Sequence, residues 1–295
     1  MAGATWTERT GAGSRNWRGI ACSADGQRIA AANNGGYIYT SEDGGATWTA
    51  RTSPGSWNWY AIAGSDDMTR IAAGAYSNYI YTSADGGATW TARTSPGSRN
   101  WLAIACSADG QRIAAANNGG YIYTSEDGGA TWTARTSPGS RNWYAIACSA
   151  DGLRIAAGVD GGYIYTSEDG GATWTAVMND ANRNWRGITC SADGQRIAAA
   201  NNGGYIYTSA DSGATWTERT SAGSRNWLAI ACSADGLRIA AGVVNGYIYT
   251  STDGGATWTE RTSSGSRDWR ASAGSGDMSR IVAGAYGGYI YTSEG

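Results

Sequence analysis

The chain has 295 residues and a net charge of −2; it contains no histidine, and all 22 of its basic residues are arginine. Triads that need histidine, histidine-ligated metals, lysine Schiff bases and phosphate-binding lysine loops are therefore excluded. The slightly acidic balance gives no support to nucleic-acid binding, and no apolar run approaches the roughly 20 residues of a membrane helix.

One 42-residue unit repeats along the chain without insertion or deletion. After Met1, the units cover 2–43, 44–85, 86–127, 128–169, 170–211, 212–253 and 254–295, which together we take as one domain, 1–295. A fixed period of this length is typical of propellers and solenoids. Since Met1 is followed directly by repeat sequence, we predict no signal peptide, and the compartment stays open.

Each unit contains four short runs of β-branched, aromatic and small residues. In the third unit they lie near 88–94, 100–106, 112–116 and 121–124, separated by Pro-Gly, Asp-Gly and Asn-Gly turns. We call the runs D (88–94), A (100–106), B (112–116) and C (121–124), with A innermost and D outermost. Four antiparallel strands repeated seven times predict an all-β fold, a seven-bladed β-propeller.

The two ends of the chain predict closure of the ring. A strand near 4–10 has the D pattern, and the residues from about 268 to 292 supply A, B and C. The N-terminal strand would therefore complete the C-terminal blade and hide the strand edges. An open solenoid is the weaker alternative, because it would need atypical capping units. We expect a monomer, and the near-identical units indicate an amplified or engineered sequence.

The C–D turn carries the pattern Ser-x-Asp-Gly-Gly-Ala-Thr-Trp. A short carboxylate accepts backbone N–H groups across its own turn, and glycine supplies positive φ. The aspartates of this turn are Asp43, Asp85, Asp127, Asp169, Asp211 and Asp253. The turn resembles the Asp-box, or bacterial neuraminidase repeat, of sialidase-like and photosystem-assembly-factor-like propellers. The resemblance implies a structural role for these aspartates, away from any substrate face. One carboxylate per turn is too few for a calcium site, so we predict no metal and no cofactor.

Differences between units gather in the D–A and B–C connections, which share one face. An arginine precedes a tryptophan by two residues in six units, and a tryptophan replaces that arginine in the remaining one. Arginine and indole together suit sugar hydroxyls or carboxylates. The candidate ligand-binding residues are Arg15, Trp17, Trp57, Trp59, Arg99, Trp101, Arg141, Trp143, Arg183, Trp185, Arg225, Trp227, Arg267 and Trp269. Just inside them come Arg18, Tyr60, Leu102, Tyr144, Arg186, Leu228 and Arg270.

Three functions stay open at this point. The first is a non-catalytic scaffold or recognition platform with a carbohydrate or protein partner on the loop face, in which the tryptophans are core and the arginines only pack. The second is lectin-like, multivalent binding of carbohydrate or anions by the Arg-Asn-Trp loops. The third is a sialidase-like hydrolase, which the resemblance invites. Glycosidases need two facing carboxylates, and the glutamates lie on outer strands or in Asp-box turns. We therefore expect that the chain is not an enzyme.

Overall fold

The computed structural model describes residues 3–294. The predicted repeat boundaries at residues 2 and 295 lie outside these residues. Within the described part, 28 β-strands and three short 3-10 turns (Thr10–Ala12, Thr220–Ala222 and Thr262–Ser264) form the regular structure, and no helix is long and apolar enough to cross a membrane. In chain order the strands are β1 Thr7–Arg9, β2 Arg15–Cys22, β3 Ile29–Gly36, β4 Ile38–Ser41, β5 Thr49–Arg51, β6 Trp57–Gly64, β7 Ile71–Ala75, β8 Ile80–Ser83, β9 Thr91–Arg93, β10 Trp101–Cys106, β11 Ile113–Gly120, β12 Ile122–Ser125, β13 Thr133–Arg135, β14 Arg141–Cys148, β15 Ile155–Gly162, β16 Ile164–Ser167, β17 Thr175–Ala176, β18 Arg183–Cys190, β19 Ile197–Gly204, β20 Ile206–Ser209, β21 Thr217–Arg219, β22 Arg225–Cys232, β23 Ile239–Val243, β24 Ile248–Ser251, β25 Thr259–Arg261, β26 Trp269–Gly274, β27 Arg280–Gly288 and β28 Ile290–Glu294.

The strands pair antiparallel in the order that the repeat predicts. Strand A pairs with B and B with C inside one unit, and C pairs with strand D of the next unit, as in β14–β15–β16–β17. The prediction of an all-β, antiparallel fold is confirmed. Every A–B pair contains a register shift directly after the tryptophan of strand A, for example between Trp143 and Ala145. This irregularity leaves one residue of each inner strand out of the ladder.

Neighbouring units are joined at both ends of their inner strands. At one end, the last residues of strand B pair with the start of the next strand A, as Asn118 does with Asn142. At the other end, each A–B turn donates a backbone hydrogen bond of 2.7–2.8 Å to the next turn. Followed from donor to acceptor, this series runs from Ala24 to Asp66, Ala108, Ala150, Ala192, Ala234 and Gly276, and Gly276 donates to Ala24.

The first strand pairs with the last one. Thr7, Glu8 and Arg9 of β1 lie opposite Thr292, Tyr291 and Ile290 of β28. The Glu8 carboxylate accepts a hydrogen bond from the Tyr291 hydroxyl. The D-type strand that the sequence places near 4–10 therefore lies beside strand C of the last unit.

The core lies between consecutive units and combines large with small side chains. Trp101 is fully buried and meets the ring of Tyr123 edge-on, with the centroids 5.4 Å apart. Its neighbours include Ala61 and Ala72 of the preceding unit. Small residues are required where the tryptophan packs on the preceding sheet, because a Cβ on Gly158 would lie 2.7 Å from the Cβ of Trp185. Each of the seven units contributes one such indole, and together the indoles bury a large apolar area.

Candidate functional site

The residue that follows the buried tryptophan of each inner strand lines one shared cavity. Because the ladder shifts register at this point, the residue belongs to a β-bulge, and a bulge re-aims its side chain. The cavity has a volume of about 150 Å³, and we call it the bulge pocket. The seven bulge residues that line it are Arg18, Tyr60, Leu102, Tyr144, Arg186, Leu228 and Arg270.

Two of the three arginines in the bulge pocket are neutralised by carboxylates. Arg186 lies 3.0 Å from the Asp160 carboxylate and stacks over the ring of Tyr144. Arg270 donates its Nε to Asp268 Oδ2 at 2.9 Å, and its terminal nitrogen lies 2.7 Å from the same oxygen. Each pair brings an arginine and an acid together, so these two guanidinium charges are locally balanced.

Arg18 has a different environment. Its guanidinium lies between the rings of Tyr60 and Tyr286, at 4.8 and 4.7 Å from the two centroids. Among residues 3–294 no carboxylate lies within ion-pair distance of it, and its Nε is buried with no hydrogen-bond partner. The aromatic faces stabilise the cation but offer no acceptor for its N–H groups. With three arginines and two aspartates in and around it, the bulge pocket carries one uncompensated positive charge.

The aromatic residues around Arg18 form a continuous stack across three units. Arg270 lies over Tyr286 at 4.7 Å, Arg18 follows between Tyr286 and Tyr60, and Tyr60 packs against Tyr76 with centroids 5.3 Å apart. Tyr76 and Tyr286 come from B–C connections that the sequence marks as variable. The stack fixes Arg18 from both sides, so its charge is held in place at one side of the cavity.

Seven of the eight tryptophans predicted as ligand-binding residues are buried, so these seven present no face to a ligand. Their relative exposure is 0% in all seven units, because each indole fills the space between two sheets. The residues are Trp17, Trp59, Trp101, Trp143, Trp185, Trp227 and Trp269. Trp57, which takes the place of a loop arginine, is 42% exposed and donates its Nε1 to the Pro54 carbonyl at 2.6 Å.

The six loop arginines are held by contacts with neighbouring side chains or loop carbonyls. Each stacks over a tyrosine of strand C, at 4.5–4.9 Å from the ring centroid. Four of them donate Nε to the carbonyl three residues earlier, and Arg183 instead binds the Asp180 carboxylate at 2.8 and 3.0 Å. The complete set is Arg15, Arg99, Arg141, Arg183, Arg225 and Arg267. These contacts stiffen the loops, and the structure does not bring the six arginines into one site.

The Asp-box turns are closed networks of short hydrogen bonds. In the first, Asp43 accepts from the Thr47 backbone at 2.8 Å and from the Thr47 hydroxyl at 2.6 Å, and Ser41 accepts from Gly45 at 2.9 Å. Hydrogen bonds from the Thr47 hydroxyl and backbone lower the pKa of Asp43 to about 2. Equivalent contacts recur at Asp85, Asp127, Asp169, Asp211 and Asp253. Among residues 3–294 no group of three or more Cys, Asp or Glu side chains is placed to hold a metal ion.

Comparison with known proteins supports the fold and the turn motif. The BNR/Asp-box repeat family model matches residues 249–260, and comparison with curated proteins gives no match. YCF48 from Cyanidioschyzon merolae is a similar solved structure, with 18% identity and a TM-score of 0.76 over 99% of this chain and 98% of that one. YCF48 bound to D1 peptide is 17% identical, with a TM-score of 0.75 over 98% and 95% of the two chains.

A glycoside hydrolase structure is similar as well. The Niastella koreensis GH74 enzyme is 18% identical, with a TM-score of 0.78 over 98% of this chain but only 53% of that one. At such low identity these structures show the fold alone. They show a β-propeller fold, and the match over residues 249–260 shows that this chain carries an Asp-box repeat.

Proposed function

We propose that the chain is a seven-bladed ring, closed by β1 on β28, which works as a non-catalytic recognition platform. Its bulge pocket binds an anionic group of a protein partner, and the surrounding D–A and B–C loops contact the rest of that partner. Each of the seven 42-residue units given above, from 2–43 to 254–295, supplies strands A, B and C of one blade, and strand D of that blade comes from the following unit, with β1 completing the last blade.

The ring is supported by the hydrogen bonds between A–B turns. Seven donors and seven acceptors form a series that returns to its starting residue, Ala24. An open stack of units would leave the first acceptor and the last donor of such a series unpaired. The pairing of β1 with β28 supports the same closure on the outer side.

Arg18 is the single observation that carries the binding proposal. The Arg18 guanidinium has no carboxylate partner and its buried Nε has no acceptor, so an anion in the cavity would balance its charge and accept charge-assisted hydrogen bonds from it. The paired acids beside Arg186 and Arg270 do not compensate this charge, because each is bound to its own arginine. A cavity of about 150 Å³ takes one carboxylate or phosphate group, while a larger partner must rest on the loops.

The solved structure of YCF48 with a bound peptide supports a protein partner, since that propeller has the same fold. The loop face of this chain also exposes Trp57 and Tyr76, at 42% and 39%. Aromatic residues of this kind are common in protein interfaces. The lectin-like alternative loses support, because seven of the eight indoles proposed to stack on sugar rings are buried.

A non-catalytic role is supported by how the acids are used. No carboxylate is among the described residues that line the bulge pocket, and the nearby Asp160 and Asp268 are bound to arginines. Glu8, Glu218 and Glu260 accept hydrogen bonds from tyrosines of strand C on the outer side. Hydrolysis of a glycoside needs a proton donor and a base or nucleophile facing each other.

The test is a titration of the full chain with a blocked hexaglutamate peptide, using hexaglutamine as the uncharged control. Tyrosine and tryptophan fluorescence or calorimetry reports binding. We expect hexaglutamate to bind and Arg18→Gln to weaken it by about 10- to 100-fold, the worth of one or two charge-assisted hydrogen bonds.

Arg141→Gln is the matched control, because Arg141 lies on the same face but is bound to the Pro138 carbonyl and to Tyr165. It should leave the affinity unchanged. Equal losses in both variants, or binding of hexaglutamine as tight as that of hexaglutamate, would contradict the proposal. Glucuronate, titrated alongside, tests the lectin-like alternative, which predicts that Arg141→Gln weakens sugar binding.

A further inference from the structure

The edge of β28 that receives β1 is a strand-binding site with three specific contacts. Trp6 packs against Trp269 with ring centroids 6.3 Å apart, Glu8 accepts from the Tyr291 hydroxyl, and Arg9 Nε donates to Thr292 Oγ1 at 2.7 Å. We call this edge, with Trp269, Tyr291 and Thr292, the acceptor edge. These contacts are specific for the side chains of the sequence Trp-Thr-Glu-Arg.

Two internal D strands have the same sequence, and one of them makes all three of these contacts. Residues 216–220 and 258–262 repeat the sequence of 6–10. In the second of these, Trp258 lies 6.3 Å from Trp227, Glu260 accepts from Tyr249, and Arg261 donates to Thr250 at 2.7 Å. The acceptor edge therefore has the chemistry of an ordinary C–D pair, and any copy of the strand satisfies it equally.

What distinguishes β1 is how it is held at its N-terminal side. In an internal blade, the Asp-box turn fixes strand D: Thr257 donates to Asp253 at 2.9 Å and Trp258 Nε1 donates to the Gly255 carbonyl at 2.9 Å. Among residues 3–294 no carboxylate accepts from the corresponding Thr5, and Trp6 Nε1 is buried without a partner. Of this network, the described residues keep the bond from Gly3 N to Ser293 Oγ, at 2.6 Å.

The inner strands stay joined without β1. Gly276 donates to the Ala24 carbonyl at 2.8 Å, and Asn16 of β2 pairs with Tyr286 of β27. These contacts connect the first and last units on the inner side, independently of the outer strand. Release of β1 is therefore a local opening that exposes the acceptor edge and leaves the inner contacts intact.

We propose that the acceptor edge binds the β1 strand of a second copy of this chain, so that two copies exchange their first strands and form a dimer. Each contact of the monomer is reproduced in the dimer, and the two states differ in the hinge at residues 10–14 and in the entropy of association. The dimer fraction therefore rises with protein concentration. Five hinge residues span at most roughly 17 Å, so the two copies must lie close together, related by two-fold symmetry.

The test uses cysteine pairs in full-length chains. Thr7 and Thr292 are direct partners in the β1–β28 pair, and directly opposed Cα atoms of antiparallel strands are about 4.5–5.5 Å apart, within disulfide reach. One preparation carries Thr7→Cys and the other Thr292→Cys, and they are mixed at increasing concentration before oxidation. We expect a disulfide-linked dimer with twice the chain's 30.6 kDa mass, with a yield that rises with concentration.

Thr49→Cys replaces Thr7→Cys in the matched control. Thr49 has the same place in β5, opposite Thr40, but its strand is joined to β4 by an intact Asp-box turn. All preparations keep the native cysteines, so their background is shared. A dimer yield equal to that of the Thr49→Cys control would overturn the proposal.

A single chain with both Thr7→Cys and Thr292→Cys shows whether the two positions can be linked. Closure of this internal disulfide, with no dimer in the mixture above the control, means that β1 binds only its own chain. Failure of the internal disulfide under the same conditions means that β1 does not rest on the acceptor edge. Either result contradicts the exchange, and neither bears on anion binding in the bulge pocket.

Discussion

Replacement of a buried indole is the sharpest test of the assignment of the loop tryptophans to the core. Trp101 is 0% exposed and packs edge-on against Tyr123, and its Nε1 has no hydrogen-bond partner. Truncation of a buried tryptophan to alanine costs about 3–5 kcal/mol, including the cavity that it leaves. Since no hydrogen bond is lost, we add no further penalty, and we expect Trp101→Ala to lower the free energy of unfolding by about 3–5 kcal/mol.

Trp57→Ala is the control for this experiment. Trp57 is 42% exposed, and its main fixed contact is the hydrogen bond to the Pro54 carbonyl, worth about 0.5–1.5 kcal/mol. Urea unfolding followed by circular dichroism gives both free energies, and titration with hexaglutamate gives the affinities. If Trp101→Ala lowers the free energy of unfolding by less than about 1 kcal/mol but abolishes the binding of hexaglutamate, the indole is a ligand contact and the assignment of Trp101 to the core is wrong.

Three further predictions concern the turns, the thiols and the contacts between units. Because the pKa of Asp127 is lowered to about 2, its stabilising effect is complete above about pH 4 and is lost as the pH falls through 2. The urea midpoint should therefore fall less steeply between pH 6 and pH 2 for Asp127→Asn than for the unchanged chain. Equal slopes for the two proteins would refute this. Burial raises the pKa of the Cys106 thiol to about 12, so a thiol reagent at pH 8 should label the folded chain far more slowly than the urea-unfolded chain, which rapid labelling of the folded chain would contradict. Gly158→Ala brings a Cβ within 2.7 Å of the Trp185 Cβ and should cost about 1–3 kcal/mol in thermal or urea unfolding, whereas an unchanged midpoint would mean that the sheets separate freely.

The sequence alone predicted the strands and the turn motif well, because both depend on local chemistry. Alternating small and β-branched residues between Asp-Gly and Asn-Gly turns leave little choice but short antiparallel strands. The Ser-x-Asp-Gly-Gly-Ala-Thr-Trp pattern fixes its own hydrogen bonds, since Asp43, Ser41 and Thr47 lie within six residues of each other. Because the 42-residue period is exact, each assignment made in one unit applied to the other units as well.

The candidate site was harder to predict, because it depends on contacts between units. Arginine two residues before tryptophan fits both a sugar site and a packed loop, and only the burial of residues such as Trp143 separates the two. The β-bulge directs the Arg18 side chain into the bulge pocket, and no pattern in the sequence predicts this bulge. One of the two rings that hold Arg18 belongs to Tyr286, a residue about 270 positions away along the chain.

Hydrogen exchange of the β1 amides is the most direct test of the ring. Thr7–Arg9 and Thr259–Arg261 have the same sequence and the same C-strand partners, so β25 is a reference with matched neighbouring residues inside the same molecule. If β1 closes the ring, its amides exchange more slowly than in an unfolded chain, though faster than those of β25 because its turn contacts are fewer. Exchange of the β1 amides at the unprotected rate, with β25 protected, would show that the chain ends do not join.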